Sequence, residues 1–215
     1  MDVEDAYLAI SGYFDLWVRL MEYRTRVMEG RHVPAADGSM LIVSPPTDRG
    51  IRILSRANAG GRTDMLCFSE ALAAKASSYA AKQGARNITF KTSPFFSIPS
   101  RDASYDVIFA NCFFDFCSEM DLPAILRELR RALRAEGRLF AVYMDHPRGV
   151  AGRLWAFVLK KFRRLSGGSH PVGLEPFLGP AGLEVEEDLR LTRFGFPIRY
   201  LRLGARPNDH DDLPW

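Results

Sequence analysis

Apolar residues fall into short continuous runs separated by longer amphipathic stretches, and the alternation is regular from residue 40 onward. Met40-Leu41-Ile42-Val43 is the first run. It breaks at Ser44-Pro45-Pro46-Thr47-Asp48-Arg49-Gly50 and resumes as Ile51-Arg52-Ile53-Leu54-Ser55. This pattern predicts strand, turn and helix, because a brief apolar run bounded by proline suits a strand buried on both faces. After the Gly60-Gly61 turn a second strand is expected over Thr63 to Phe68. Ser69 is placed to N-cap an alanine-rich helix running from Glu70 to about Gln83 and closed by Gly84. A third strand is expected at Asn87 to Thr92, followed by a loop from Ser93 to Ala103 that contains Pro94 and Pro99.

Tyr105 to Asn111 is nearly all apolar and predicts a fourth strand buried on both faces. Asp121 is expected to cap the next helix, with Pro123 in its first turn. Leu122, Ile125, Leu126, Leu129 and Leu133 recur at helical spacing, Arg127, Arg130, Arg131 and Arg134 take the outer face, and Glu136-Gly137 ends the helix. Arg138 to Met144 predicts a fifth strand, and Gly149 to Arg164 an amphipathic helix with a basic edge. A short helix at Leu174 to Leu178 and two strands, Leu183 to Leu191 and Ile198 to Gly204, complete the pattern, the strands pairing antiparallel at a sheet edge. Strand and helix alternating in this rhythm imply an α/β fold, doubly wound and mainly parallel, with helices on both faces and right-handed crossovers. The organisation expected is an N-terminal helical cap and linker over residues 1–37, a main domain over 38–205 and a polar tail over 206–215.

Composition narrows the partners. A 47% hydrophobic and 26% charged chain of 215 residues can bury a full core, and a net charge of +3 is too small to suggest a nucleic-acid surface by itself. Cys67, Cys112 and Cys117 are odd in number, lack the paired spacing of a zinc site and are expected to be buried, so no metal is predicted. No apolar stretch reaches the roughly 18–20 residues of a membrane span, and no secretory segment is read at the start, so a cytoplasmic location is expected. The edge at Lys160-Lys161 reads first as a solvated helix face and second as a peripheral contact for a phosphate or a membrane.

Three segments carry a resemblance. Tyr105-Asp106-Val107-Ile108 is followed by Asn111, by Leu126-Arg127-Glu128-Leu129-Arg130-Arg131-Ala132-Leu133, and by Gly137-Arg138-Leu139. Ser69-Glu70-Ala71-Leu72-Ala73-Ala74-Lys75-Ala76 follows the second strand, and Leu174-Glu175-Pro176-Phe177-Leu178 with Ala181-Gly182-Leu183-Glu184-Val185 lies near the end. Together they resemble the class I S-adenosylmethionine-dependent methyltransferases that act on small molecules, of the type 11-like group. The resemblance covers roughly residues 38 to 205 and implies a seven-stranded Rossmann-like sheet with the final strand inserted antiparallel, and S-adenosylmethionine as cofactor.

The same resemblance implies a cofactor cradle at Ser44, Pro46, Thr47, Asp48, Arg49, Cys67, Phe68, Pro94 and Asn111. In the family the first loop reads acidic-x-Gly-x-Gly-x-Gly; here the acidic place falls on Ile42 and the glycines on Ser44, Pro46 and Asp48. The acidic residue that accepts from the ribose hydroxyls falls on Cys67, and the one that meets adenine on Pro94. A thiol is a weak acceptor, proline has no N–H, and each unpaired ribose hydroxyl costs about 1–3 kcal/mol. The substitutions argue against the usual binding mode. The N-terminus of the helix after Asp48-Arg49 still favours an anion.

Two functional classes follow, with a third behind them. In one, the chain is an enzyme that transfers a methyl group to a small molecule through a remade pocket, with Asp115 or His146 as general base. In the other, it is a pseudoenzyme that binds or scaffolds a protein partner, in a homo- or hetero-oligomer, through its aromatic N-terminal helix or its basic helix. The third is another reaction on the same frame, cyclisation or decarboxylation, with Tyr13, Trp17, Phe113 and Phe114 shaping an apolar substrate pocket.

Overall fold

In a computed structural model, residues 38–48, 50–93, 96–161, 168–193 and 195–206 are described. The expected helical cap over 1–37, with Tyr13 and Trp17, lies outside them, as do Arg49, Pro94 and the tail beyond Arg206. The strands are β1 (Ser39–Val43), β2 (Arg62–Cys67), β3 (Ile88–Thr92), β4 (Tyr105–Asn111), β5 (Leu133–Met144), β6 (Leu183–Arg193) and β7 (Phe196–Ala205). The helices are α1 (Gly50–Ala57), α2 (Glu70–Lys82), α3 (Leu122–Ala132), α4 (Gly149–Lys161) and α5 (Glu175–Leu178).

One seven-stranded sheet runs in the order β3-β2-β1-β4-β5-β7-β6. β1 to β5 are parallel, β7 enters antiparallel against β5, and β6 pairs antiparallel with β7. The strand order reverses between β1 and β4, so their carboxyl ends open the crevice in which such sheets hold ligands. The apolar runs explain the centre: Leu41, Ile42, Val43, Ile108, Phe109 and Ala110 are buried, because helices cover both faces of a parallel sheet.

Local signals fix the elements around it. The Ser69 hydroxyl accepts from Leu72 N at 3.3 Å, and Gly84 takes φ +73° just past α2. At the turn into β2, a Cβ on Gly61 would lie 2.2 Å from the Gly38 carbonyl, so that close approach requires glycine.

The structure departs from the sequence pattern in three places. Asp121 precedes α3 with helical dihedrals and makes no side-chain cap bond; its backbone carbonyl accepts from Ala124 and Ile125 instead. Helix α3 ends at Ala132, and Leu133 turns extended to pair with Tyr105, so β5 starts five residues before the expected Arg138. The helical leucine period cannot by itself report where pairing with β4 takes over. Third, the arginines assigned to an outer face divide. Arg131 bonds Glu128, Asp102 and the carbonyls of Ile98 and Ser100, and Arg130 donates to the Gly182 carbonyl. Both tether loops, while Arg127 stays exposed.

Candidate functional site

The carboxyl ends of β1, β2 and β4 bring together most of the described cradle residues. After β1 the chain turns on a 3.1 Å bond from Asp48 N to the Pro45 carbonyl, and Ser44 through Asp48 are all buried. Asp48 is the hub of this turn, at 1% exposure. One carboxylate oxygen accepts from Gly50 N at 2.7 Å and the other from the Asn111 amide at 2.5 Å. The side chain thus caps α1 and fastens its entry loop to the end of β4. A carboxylate at a helix N-terminus satisfies the free N–H groups and the positive end of the helix dipole. The position the sequence left for an anion is occupied by the chain's own anion.

Beside it, Cys67 ends β2, buried, its thiol pushed up to about 12 by burial and then by the charge of Glu70. It stays protonated at neutral pH and offers no carboxylate-like acceptor. Its backbone carbonyl accepts from Ser93 N at 2.9 Å, joining the ends of β2 and β3. Phe68, Phe96 and Phe113 pack over these ends: Phe113 stacks on Phe96 at 5.0 Å and on Phe68 at 5.8 Å, and Phe68 meets Phe96 at 6.3 Å. Phe113 is aimed there by Cys112, a non-glycine residue at φ +48° whose N–H bonds the Val142 carbonyl at 2.8 Å. A left-handed conformation there costs about 1–2 kcal/mol. Phe96 gave no sequence signal; it stands in an irregular loop where periodicity is silent.

S-adenosylmethionine fits these residues poorly. Its ribose hydroxyls would face a neutral thiol, and its carboxylate would approach a helix end that Asp48 holds. One atom points the other way. The Asn111 side-chain oxygen is buried without a hydrogen-bond partner among the described residues, so it could accept from a donor brought by a ligand.

Past β4 the chain forms a 3-10 turn over Phe114–Phe116, with Phe114 and Asp115 buried. Asp115 accepts from Met144 N at 2.7 Å, and its carbonyl accepts from His170 N at 2.9 Å. Burial pushes its carboxyl up to about 7, with the Met144 N–H pulling the other way, so it exchanges a proton near neutrality. His146 is exposed beyond β5, its backbone N–H bonded to Asp145, and no hydrogen bond among the described residues links its ring to Asp115. A cavity of about 390 Å³ opens between α4 and residues 168–171, walled by Ala156, Leu159, Lys160, Ser169 and His170. His170 connects that wall to the turn bearing Asp115.

The comparisons agree with this fold. Residues 49–137 match the family described as a methyltransferase domain, a span that begins just after the Ser44–Asp48 loop. Its fold is that of the class I methyltransferases. Among solved structures this methyltransferase-like chain is similar to the YcgJ protein of Bacillus subtilis, with a TM-score of 0.68 and 12% identity over 87% of this chain and 100% of that one. It is similar to a SAM-dependent methyltransferase from Aquifex aeolicus, with a TM-score of 0.66 and 15% identity over 94% and 98%. It is also similar to the cyclase SpnF, with a TM-score of 0.68 and 16% identity over 86% and 81%. At these identities the likeness is one of fold. No curated protein matches the chain in sequence.

A polar cluster that the sequence pattern did not suggest lies at the other end of the sheet. Arg199 of β7, 4% exposed, grips Asp188 of β6 through two 2.9 Å bonds and also bonds Glu175 of α5. Arg190 stands 3.5 Å from Asp145 and 4.0 Å from Glu175. The available signal was Arg199 itself, an arginine inside the apolar run Phe196 to Leu201. A charge there needs partners.

Proposed function

We propose that this methyltransferase-fold protein acts by binding a partner and does not transfer methyl groups from S-adenosylmethionine held in the usual cradle. The observation that carries the reading is the buried Asp48 carboxylate, committed to Gly50 N and Asn111 at the helix end where the cofactor loop should be open. Pro45 and Pro46 bring no N–H to the same loop, and the neutral Cys67 replaces the ribose acceptor. These features support a scaffold kept for its surface. Titration of the purified chain with S-adenosylmethionine and S-adenosylhomocysteine, followed by calorimetry and thermal shift, tests this. The expected result is no heat and no shift at millimolar ligand. A micromolar site would instead add about 2.7 kcal/mol at a hundredfold excess over its Kd, and such a gain would overturn the reading.

Asp115 favours a second reading, a small-molecule methyltransferase with an atypical pocket. A buried carboxyl poised near pH 7 suits a general base, and its turn is joined to the cavity wall by the bond from His170 N to the Asp115 carbonyl. In that reading Asp115 takes the proton from a substrate O–H or N–H while Met144 N–H fixes its orientation. Methyl transfer to a panel of phenols and carboxylic acids that disappears in Asp115→Asn would support it.

A further inference from the structure

The two faces of α4 differ in a way that packing among the described residues does not explain. Gly152, Trp155, Ala156 and Leu159 form the inward face: a Cβ on Gly152 would stand 3.2 Å from Pro147, and Trp155 meets Phe196 edge-on at 5.6 Å. At roughly 100° per residue, Val150, Leu154, Phe157 and Lys161 line up on the opposite side. There Val150 is 82% exposed and Leu154 and Phe157 are each 61% exposed. Arg153 and Lys160 flank this stripe, and the Lys161 ammonium lies 5.9 Å from the Phe157 ring centre. No acidic residue occurs between Asp145 and Glu175, whereas Arg148, Arg153, Lys160 and Lys161 all fall within the described part of that stretch.

We propose that this outer face of α4 docks on an anionic membrane surface. Three large apolar side chains in line, interleaved with cations and free of acids, match an interface whose outer layer is negative and whose inner layer is hydrocarbon. Leu154 and Phe157 enter the boundary between headgroups and acyl chains. Arg153, Lys160 and Lys161 remain among the phosphates, their stems covering the apolar edge. A nucleic acid would satisfy the cations but give Val150, Leu154 and Phe157 nothing to bury against. The helix lies in the surface and does not cross it; among the described residues no helix is long and apolar enough to do so.

Flotation of the full chain with phosphatidylcholine vesicles, and with vesicles containing a third phosphatidylserine, tests the proposal. Binding is expected only to the anionic vesicles, and it should weaken several-fold between about 0.1 M and 0.5 M salt as the charges are screened. Leu154→Asp with Phe157→Asp should lower partitioning at least tenfold without moving the melting temperature, because both side chains already face solvent. Lys160→Glu with Lys161→Glu is a second, independent variant and should abolish the preference for the anionic vesicles. Failure to float with either vesicle would overturn the proposal. So would equal binding to both vesicles, or binding to a duplex oligonucleotide that the Asp variants leave unchanged.

Discussion

From β3 to β4 the carboxyl edge of the sheet is closed by apolar stacking around one capped carboxylate; across β5, β7 and β6 the corresponding edge is closed by ion pairs. The first region is the crevice of the topological switch point, and its polar atoms are few and mostly committed: Asp48 to Gly50 and Asn111, Cys67 protonated, three phenylalanines layered above. The second carries Arg199, Arg190, Asp145, Glu175 and Asp188 within one network. Apolar closure is indifferent to pH and salt; ionic closure is not. The edge at the switch point is therefore packed with aromatic rings, while the groups that respond to pH and salt sit at the antiparallel end and at Asp115 between them.

Arg199→Ala should produce the largest change. The guanidinium is buried, and its removal takes from Asp188 and Glu175 the cation they share, a loss of about 3–5 kcal/mol when one member of a buried ionic set is deleted. Both carboxylates reach solvent in part, so the lower end of that range is expected. Urea unfolding at neutral pH measures it, and a loss below about 1 kcal/mol would mean that the network contributes no more than a surface pair.

Asp115 should separate the two regions through pH. Its carboxyl is raised to about 7 in the fold against about 4 in the unfolded chain, so the folded state holds the extra proton between those values. Stability from this group is complete below pH 4 and is lost as pH rises through 7. Asp188 and Glu175 behave oppositely: at Glu175 burial pushes up but is outweighed by pairing with Arg199 and other bonds, and at Asp188 the Arg199 bonds lead, so both are lowered and their contribution is present above pH 4 and fades as acid protonates them. Asp115→Asn keeps an oxygen for Met144 N–H and should stabilise the protein at pH 8 by up to about 4 kcal/mol, with no gain at pH 4. Equal unfolding curves for the two proteins at pH 8 would show that Asp115 is not buried as a charge.

Much of this was legible in the chain, but unevenly. The run Tyr105 to Asn111, the Ser69 cap and the antiparallel final strands are written in local pattern, and each formed where periodicity placed it. The replaced glycines at Ser44, Pro46 and Asp48 could be read as a loss, yet not that Asp48 would turn inward and bond a residue 63 positions away. That bond depends on β1 and β4 being neighbours, a property of the sheet. Arg199 and Phe96 escaped for the same reason, since their partners lie on other elements. The resemblance helped most where it described backbone and least where it assigned contacts.

Phe96→Ala gives the smallest expected effect and tests whether the phenylalanines are core or plug. The ring is half-buried and stacks on Phe113 at 5.0 Å, so its loss should cost only about 1–1.5 kcal/mol, less than for a fully enclosed phenylalanine. Phe68 and Phe113 would remain, stacked with centres 5.8 Å apart. A planar base held between two rings needs two layers of about 3.5 Å, roughly 7 Å in all, so removal of Phe96 alone leaves the gap too narrow. The variant should therefore melt a few degrees lower and still show no calorimetric response to S-adenosylhomocysteine. A micromolar response from Phe96→Ala would mean that the parallel edge is a cofactor site shut by one removable side chain, and the contrast between its apolar closure and the ionic closure beyond β5 would then be one of occupancy and no longer one of construction.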